Sequence, residues 1–176
     1  MPLIEIQHYE TSIGELILGS FENRLCLCDW RYRKQRKQVD ARIMHALGAS
    51  YTLAESEVIA AAKLQLTEYF NSKRDAFSIP LLLIGTSFQK KVWNALLQIP
   101  YGTTESYLEL SRRIGSEKAI RAVAAANGAN AISILIPCHR VVGSKGELVG
   151  YAGGILAKRA LLTLEYPSKG YHGQLF

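Results

Sequence analysis

Asn130-Ala131-Ile132-Ser133-Ile134-Leu135-Ile136-Pro137-Cys138-His139-Arg140-Val141-Val142 is an apolar run that stops at a proline and then presents a cysteine, a histidine and an arginine in succession. Such a run buries the backbone ahead of the cysteine. The basic neighbours supply positive charge of the kind that lowers a thiol pKa and raises the thiolate fraction near neutral pH. The bland alternative is an inert buried cysteine. In an extended backbone adjacent side chains point to opposite sides, so a direct short hydrogen bond from His139 to Cys138 is not expected. A bridging water would carry the proton, and the base would need a carboxylate to orient it. Carboxylates are few in the C-terminal half, and Glu165, ending the apolar helical pattern Ile155 to Leu164, is the one placed to reach inward.

The residues just upstream read as helices. Thr86 or Ser87 can cap a helix carrying Phe88, Val92, Trp93 and Leu96 on one face, which Pro100 and Gly102 stop. Tyr107, Leu110 and Ile114 share a face of a second, Gly115 breaks it, and Ser116 with Glu117 opens a third containing Ala119, Ile120 and Val123. Helix, glycine turn, helix is the outline of a DNA-binding helix-turn-helix, an outline that many α-rich cores share. The third helix is nearly bare, with Ala122, Ala124, Ala125 and Ala126 leading to Gly128 and Arg121 as its one long side chain mid-helix. Small side chains allow either tight internal packing or close approach to a DNA groove, and the sequence alone does not separate the two.

Further out, Leu3 to Tyr9, Glu15 to Gly19 and Leu25 to Trp30 are short, β-prone and separated by turn signals, the pattern of a small antiparallel sheet. Val58, Ala62, Leu66 and Tyr69 or Phe70 then recur at helical spacing. Arg31 to Lys37 reads as a solvated basic cluster without a role. Ser78 to Gly85, holding Pro80, reads as the connection between two units, 1–85 and 86–176.

The net charge of +6 is uneven. Residues 1–86 hold ten Lys or Arg against ten Asp or Glu, whereas residues 87–176 hold eleven against Glu105, Glu109, Glu117, Glu147 and Glu165. That asymmetry points to a polyanion partner for the C-terminal half. At 176 residues, 48% hydrophobic, the chain suits a soluble globular class and not a disordered one. No apolar run approaches membrane-spanning length, no secretory signal is evident, and three cysteines without one suggest reduced thiols, so a cytoplasmic setting without membrane association is expected. Cys26 and Cys28 alternate in an apolar stretch and read as strand residues. With only His8 nearby they make a poor zinc pattern, and Gly150 to Gly154 lacks the setting of a dinucleotide loop, so neither metal nor cofactor is expected.

Ile136-Pro137-Cys138-His139-Arg140-Val141 resembles the active-site signature of the O6-alkylguanine-DNA alkyltransferases, and the likeness extends to both sides. Phe88-Gln89-x-x-Val92-Trp93, Ile99-Pro100-x-Gly102, Ser106-Tyr107, Ala119-x-Arg121-Ala122-Val123 and Gly128-x-Asn130 precede it in family order. Gly150-Tyr151-x-Gly153-Gly154, Lys158 and Leu161-Leu162-x-x-Glu165 follow. The likeness is dense over residues 86–165 and only outlined before them.

The resemblance implies an α+β chain of two domains: a ribonuclease H-like sheet with helices, then an all-α, winged-helix-like helix-turn-helix domain. It implies single-use DNA repair, in which the alkyl group of O6-methylguanine, and of O4-methylthymine, passes irreversibly to Cys138 after the nucleotide is flipped from double-stranded DNA, the protein acting as a monomer. His139 would be the base acting through water, Glu165 its orienting carboxylate, and Asn130 the residue tying the active-site turn. Tyr107 would bear on the lesion's 3′ phosphate and help protonate the departing guanine. Arg121 would hold the vacated space in the stack, with Ala122, Ala125 and Gly128 at the groove. Tyr151, Val141, Ala152 and Gly153 would line the base pocket. Ala152 stands where some members carry a hydroxyl residue, and Asn127 where others are larger and apolar, which leaves adducts bulkier than methyl open. Some members hold a structural zinc, and none is expected here.

Two other readings are weaker. An alkyltransferase-like binding protein lacks the acceptor cysteine, which Cys138 supplies. A cysteine hydrolase usually draws its histidine from far along the chain, and none of His8, His45 or His172 sits in a motif.

Overall fold

The computed structural model describes residues 1–169; residues 170–176, the end of the second expected unit with His172 in it, lie outside them. Strands β1 (Leu3–Thr11), β2 (Gly14–Phe21) and β3 (Arg24–Trp30) form an antiparallel meander. Glu22 and Asn23 close the β2–β3 hairpin, both at positive φ, the conformation that matches the right-handed twist of the strands they join. Helix α1 (Arg36–Leu47) crosses over to β4 (Ser50–Leu53), which pairs parallel with β1, so the sheet is mixed, in the order β3-β2-β1-β4. Neither α1 nor β4 stands out in the sequence: α1 buries only Val39 and Ile43, and β4 has four residues.

Helix α2 (Glu57–Phe70) starts at Ser56, whose hydroxyl accepts from the Ile59 amide. It buries Val58, Ala62, Leu66 and Tyr69, the spacing read from the sequence. The connecting segment is no free linker: the Leu25 amide donates to the Pro80 carbonyl and the Leu82 amide to Leu25, both at 2.8 Å.

Helix α3 (Ser87–Leu96) opens on a capping box between Thr86 and Gln89 and buries Val92, Trp93, Ala95 and Leu96. A two-residue strand, β5 (Glu105–Ser106), leads to α4 (Tyr107–Arg113), capped by Ser106 and Glu109 in the same way. Gly115, at φ +71°, makes the turn that a Cβ would strain, and a short 3-10 turn leads into α5 (Ile120–Gly128). Strand β6 (Val141–Val142) pairs parallel with β5, pinning the residues after Cys138 to the start of α4. Helix α6 (Ile155–Glu165) closes the fold.

Both units share one core. Leu16, Leu18, Trp30 and Tyr69 of the first pack with Trp93, Leu96, Val123 and Ile136 of the second. The outer edge of β3 is covered twice, by Pro80–Leu82 and by the turn before the cysteine, since the Cys28 amide donates to Ala131 at 2.9 Å and the Ser133 amide to Cys28 at 2.7 Å. An edge strand left open invites wrong pairing; here it anchors the segment that carries the thiol. Among the described residues no helix is long and apolar enough to cross a membrane.

Candidate active site

The turn from Asn130 to Pro137 is built around one side chain. The Asn130 amide nitrogen donates to the Ile136 carbonyl at 2.9 Å and to Ile132 at 3.4 Å, while its oxygen accepts from the Ile132 amide at 2.9 Å. Asn130 is buried, so these bonds replace ones it would otherwise make to water. They hold Ile134 at φ +72°, a left-handed conformation that costs a β-branched residue on the order of 1–3 kcal/mol. Cys138–Arg140 then form a 3-10 turn, not the extended backbone expected from the sequence.

Cys138, His139 and Arg140 are all buried. His139 Nε2 lies 2.7 Å from Glu165 Oε1 at the end of α6. Glu165 also accepts from Tyr69 at 2.7 Å, from Arg140 Nε at 2.8 Å and from the second Arg140 nitrogen at 2.9 Å. Burial pushes the Glu165 carboxyl up, but His139 and Arg140 outweigh it and hold the pKa at about 2. The group is therefore a carboxylate, and Nε2 of His139 must be the nitrogen that carries the proton. Burial lowers the imidazole pKa, with Glu165 working against it. Near neutral pH the ring is neutral, and the lone pair sits on Nδ1, which is buried with no hydrogen-bond partner among the described residues.

The charge around the thiol departs from expectation. Burial raises the Cys138 pKa, and the groups that draw it back down are the Asn130 amide, the Lys158 ammonium and, in lesser part, the Arg33 guanidinium. Arg140 does not serve: its guanidinium is held by Glu165 and by the Ile99 carbonyl at 2.7 Å, above the Tyr101 ring. Lys158 is fully buried, donates to Val149 at 3.1 Å and Gly150 at 3.3 Å, and is lowered by burial to a pKa of about 8. The thiol is thus mostly protonated at neutral pH and needs a base. Cys26 and Cys28 are buried strand thiols whose pKa values burial also pushes up, as in inert residues.

Around the cysteine, Tyr151 stands edge-on to His139, ring centres 6.4 Å apart, and accepts from Trp30 Nε1 at 3.2 Å. Val141 is buried on β6, Ala152 is half-buried, and a Cβ on Gly153 would fall 2.5 Å from Trp30, so that position is closed to larger residues. Tyr107, first residue of α4, donates to Val149 at 3.2 Å, and burial raises its hydroxyl to a pKa of about 12. Asn127 lies buried on α5, its side-chain oxygen without a hydrogen-bond partner among the described residues.

Along α5, Arg121, Ala122, Ala124, Ala125 and Gly128 are exposed while Val123, Ala126 and Asn127 point inward. The alanines are therefore not explained by internal packing alone; they form a smooth outer face carrying one arginine.

Three residues were not singled out from the sequence: Tyr69 as a partner of Glu165, Arg140 as a second one, and Lys158 as the cation near the thiol. Arg33 was misread. It belongs to the expected solvated cluster, yet its side chain is 2% exposed and paired with a fully buried Asp29 at 3.0 Å.

Residues 87–167 match the family model described as 6-O-methylguanine DNA methyltransferase, DNA binding domain, and residues 6–83 match that described as 6-O-methylguanine DNA methyltransferase, ribonuclease-like domain. A methylated-DNA–protein-cysteine methyltransferase of Mycobacterium leprae is 42% identical over 166 residues, 93% of either chain. One of Methanosarcina barkeri is 41% identical, covering 89% of this chain and 93% of that one. Among solved structures, Mycobacterium tuberculosis OGT in complex with DNA superposes with a TM-score of 0.79 at 39% identity, over 93% of both chains.

Proposed function

Since the chain belongs to the 6-O-methylguanine DNA methyltransferase family, we propose that it repairs DNA by moving the methyl group of O6-methylguanine, irreversibly and once per molecule, to Cys138. The observation that carries this reading is the buried line from Glu165 to His139, ending in an Nδ1 lone pair that none of the described residues takes up, on the residue next to the cysteine in sequence.

The step balances simply. A water relays the Cys138 proton to His139 Nδ1, and Glu165 stabilises the imidazolium that forms. The sulfur attacks the alkyl carbon, a C–S bond forms as the C–O6 bond breaks, and the electron pair leaves on guanine. Tyr107, whose hydroxyl stays protonated near neutral pH, supplies a proton to the departing base and takes one back through solvent, to which His139 gives up the proton it received. The thioether has no easy route back to thiol, so the protein is consumed.

A base stacked in a duplex cannot present its O6 substituent to a buried sulfur. We read the nucleotide as flipped out, at an unstacking cost of roughly a few kcal/mol. The smooth outer face of α5, with Ala122, Ala125 and Gly128, suits close approach to the minor groove, and Arg121 suits the space left in the stack. Tyr107 bears on the 3′ phosphate, and the basic excess of residues 87–176 gives affinity without sequence preference. Tyr151, Val141, Ala152 and Gly153 line the base pocket, and O4-methylthymine is a second substrate. The boundary at residue 85 is supported by the two matched ranges. A reduced cytoplasmic setting suits a reaction that needs a free thiol, and the protein acts as a monomer.

Incubation with duplex DNA containing O6-methylguanine should make the protein heavier by one methyl group, at Cys138, in equimolar yield. Intact-mass spectrometry showing no adduct, or more repaired DNA than protein, would overturn the reading.

A further inference from the structure

The N-terminal unit grips the joint between α5 and the active-site turn. Three successive carbonyls there, at Gly128, Ala129 and Asn130, are covered by two guanidinium groups from the other unit. Arg33 donates to Gly128 at 2.6 Å and to Asn130 at 3.2 Å. Arg42, on α1, donates to Ala129 at 2.8 Å and lies over the Trp93 ring at 5.5 Å. Beneath them Asp29, fully buried at the end of β3, accepts from Arg33 and, at 2.9 Å, from Arg36. Ser133, within the active-site turn, reaches the same carboxylate at 3.5 Å.

Helix C-termini leave carbonyls without intrahelical partners and carry partial negative charge, so cations are favoured there. Simple stability is a poor reason for such an arrangement. Burying two charges costs several kcal/mol per ion, and well-packed apolar residues in their place are often as stable. What apolar residues cannot do is fix three adjacent carbonyls in one orientation. Those carbonyls stand between two functional parts: upstream is the exposed face of α5, downstream the Asn130 turn that ends in Cys138.

We propose that Asp29, Arg33 and Arg42 are positioning residues for alkyl transfer: the N-terminal unit sets the angle between α5 and the thiol-bearing turn, so that a base delivered by the helix meets the sulfur. The inference rests on the function proposed above and adds to it a role for a unit that carries neither the acceptor nor the DNA-facing helix. A misplacement of about 1 Å between reacting groups can cost on the order of a hundredfold in rate.

The test separates binding from transfer. Wild type, Arg33→Gln, Arg33→Lys and Arg42→Gln are compared by the affinity for undamaged duplex and by the first-order rate of adduct formation at saturating O6-methylguanine duplex. Arg33→Gln leaves Asp29 paired with Arg36 and should slow saturated transfer by about ten- to a hundredfold while duplex affinity changes by less than about threefold. Arg33→Lys keeps the charge but has no fork to span two carbonyls, and should recover part of the rate. Saturated transfer at the wild-type rate in Arg33→Gln, or an equal fall in affinity and transfer, would overturn the proposal. Should Arg33→Gln not fold, Arg42→Gln decides, because it removes one cap and spares the buried pair: slower saturated transfer supports the proposal, an unchanged rate overturns it. Wild type failing to form the adduct would instead count against the proposed function.

Discussion

Replacing Glu165 by Gln tests the centre of the site through stability and chemistry at once. The carboxylate accepts from Tyr69, His139 and two nitrogens of Arg140, and glutamine offers one oxygen for all four donors. Its NH2 group would face a donor. Arg140 would keep its burial and lose its counter-charge, and breaking a buried pair from one side costs about 3–5 kcal/mol. The sign of the pH dependence follows from the direction of the shift. With a folded pKa of about 2 against an ordinary 4.5, the carboxylate stabilises the fold above pH 4.5, and that contribution, about 3 kcal/mol, is lost as the pH falls from there toward 2. Urea unfolding of wild type and Glu165→Gln should give curves about 3–5 kcal/mol apart at pH 7 that converge by about 2 kcal/mol on going from pH 5 to pH 3. The variant, still folded at pH 7, should transfer methyl about a hundred- to ten-thousandfold more slowly, the usual contribution of a positioned base. Curves that stay parallel down to pH 3 would refute the ionised, paired Glu165, and an unchanged transfer rate would refute its link to His139.

Tyr69→Phe removes one donor from Glu165 and leaves the ring packed, so unfolding measurements should show a loss of about 0.5–1.5 kcal/mol or somewhat more for a bond to a charged group. No loss would mean the hydroxyl is not bonded there. Lys158→Gln can still donate to Val149 and Gly150 but carries no charge, so the thiol pKa should rise further and transfer should slow at pH 7, with the deficit shrinking as the pH is raised. A deficit independent of pH would assign Lys158 a purely structural part. Ala125→Leu, on the exposed face of α5, should weaken duplex binding while changing the unfolding free energy by less than about 0.5 kcal/mol. Equal affinity would place the DNA elsewhere.

What the sequence made legible is chemistry borne by neighbouring side chains or by strong periodicity. The Cys138–His139 run, the helix ending in Glu165 and the alternation of β1 to β3 could all be read. So could Asn130, on the strength of the family likeness. What escaped are interactions whose partner is a backbone carbonyl or lies far along the chain. Nothing in the local pattern around Tyr69 says that its hydroxyl meets a carboxylate 96 residues away. Lys158 looks like any helix lysine until two loop carbonyls and a thiol are found around it. Arg33 sits among Arg31, Lys34 and Lys37, which are exposed, and only the buried Asp29 four residues before it sets it apart.

Arg140 shows why a motif can be read correctly and explained wrongly. A cation next to a cysteine in sequence invites an electrostatic account of the thiol. The 3-10 turn at Cys138–Arg140 sends that guanidinium to Glu165, so its charge falls on the carboxylate that meets His139 rather than on the thiol. The thiol is left to burial, Asn130, Lys158 and, in lesser part, Arg33, and stays protonated at rest. A buried, protonated cysteine is a poor target for stray electrophiles and oxidants. On the function proposed above, in which Cys138 is spent in a single event, ionisation that waits on His139 would keep the thiol for the lesion.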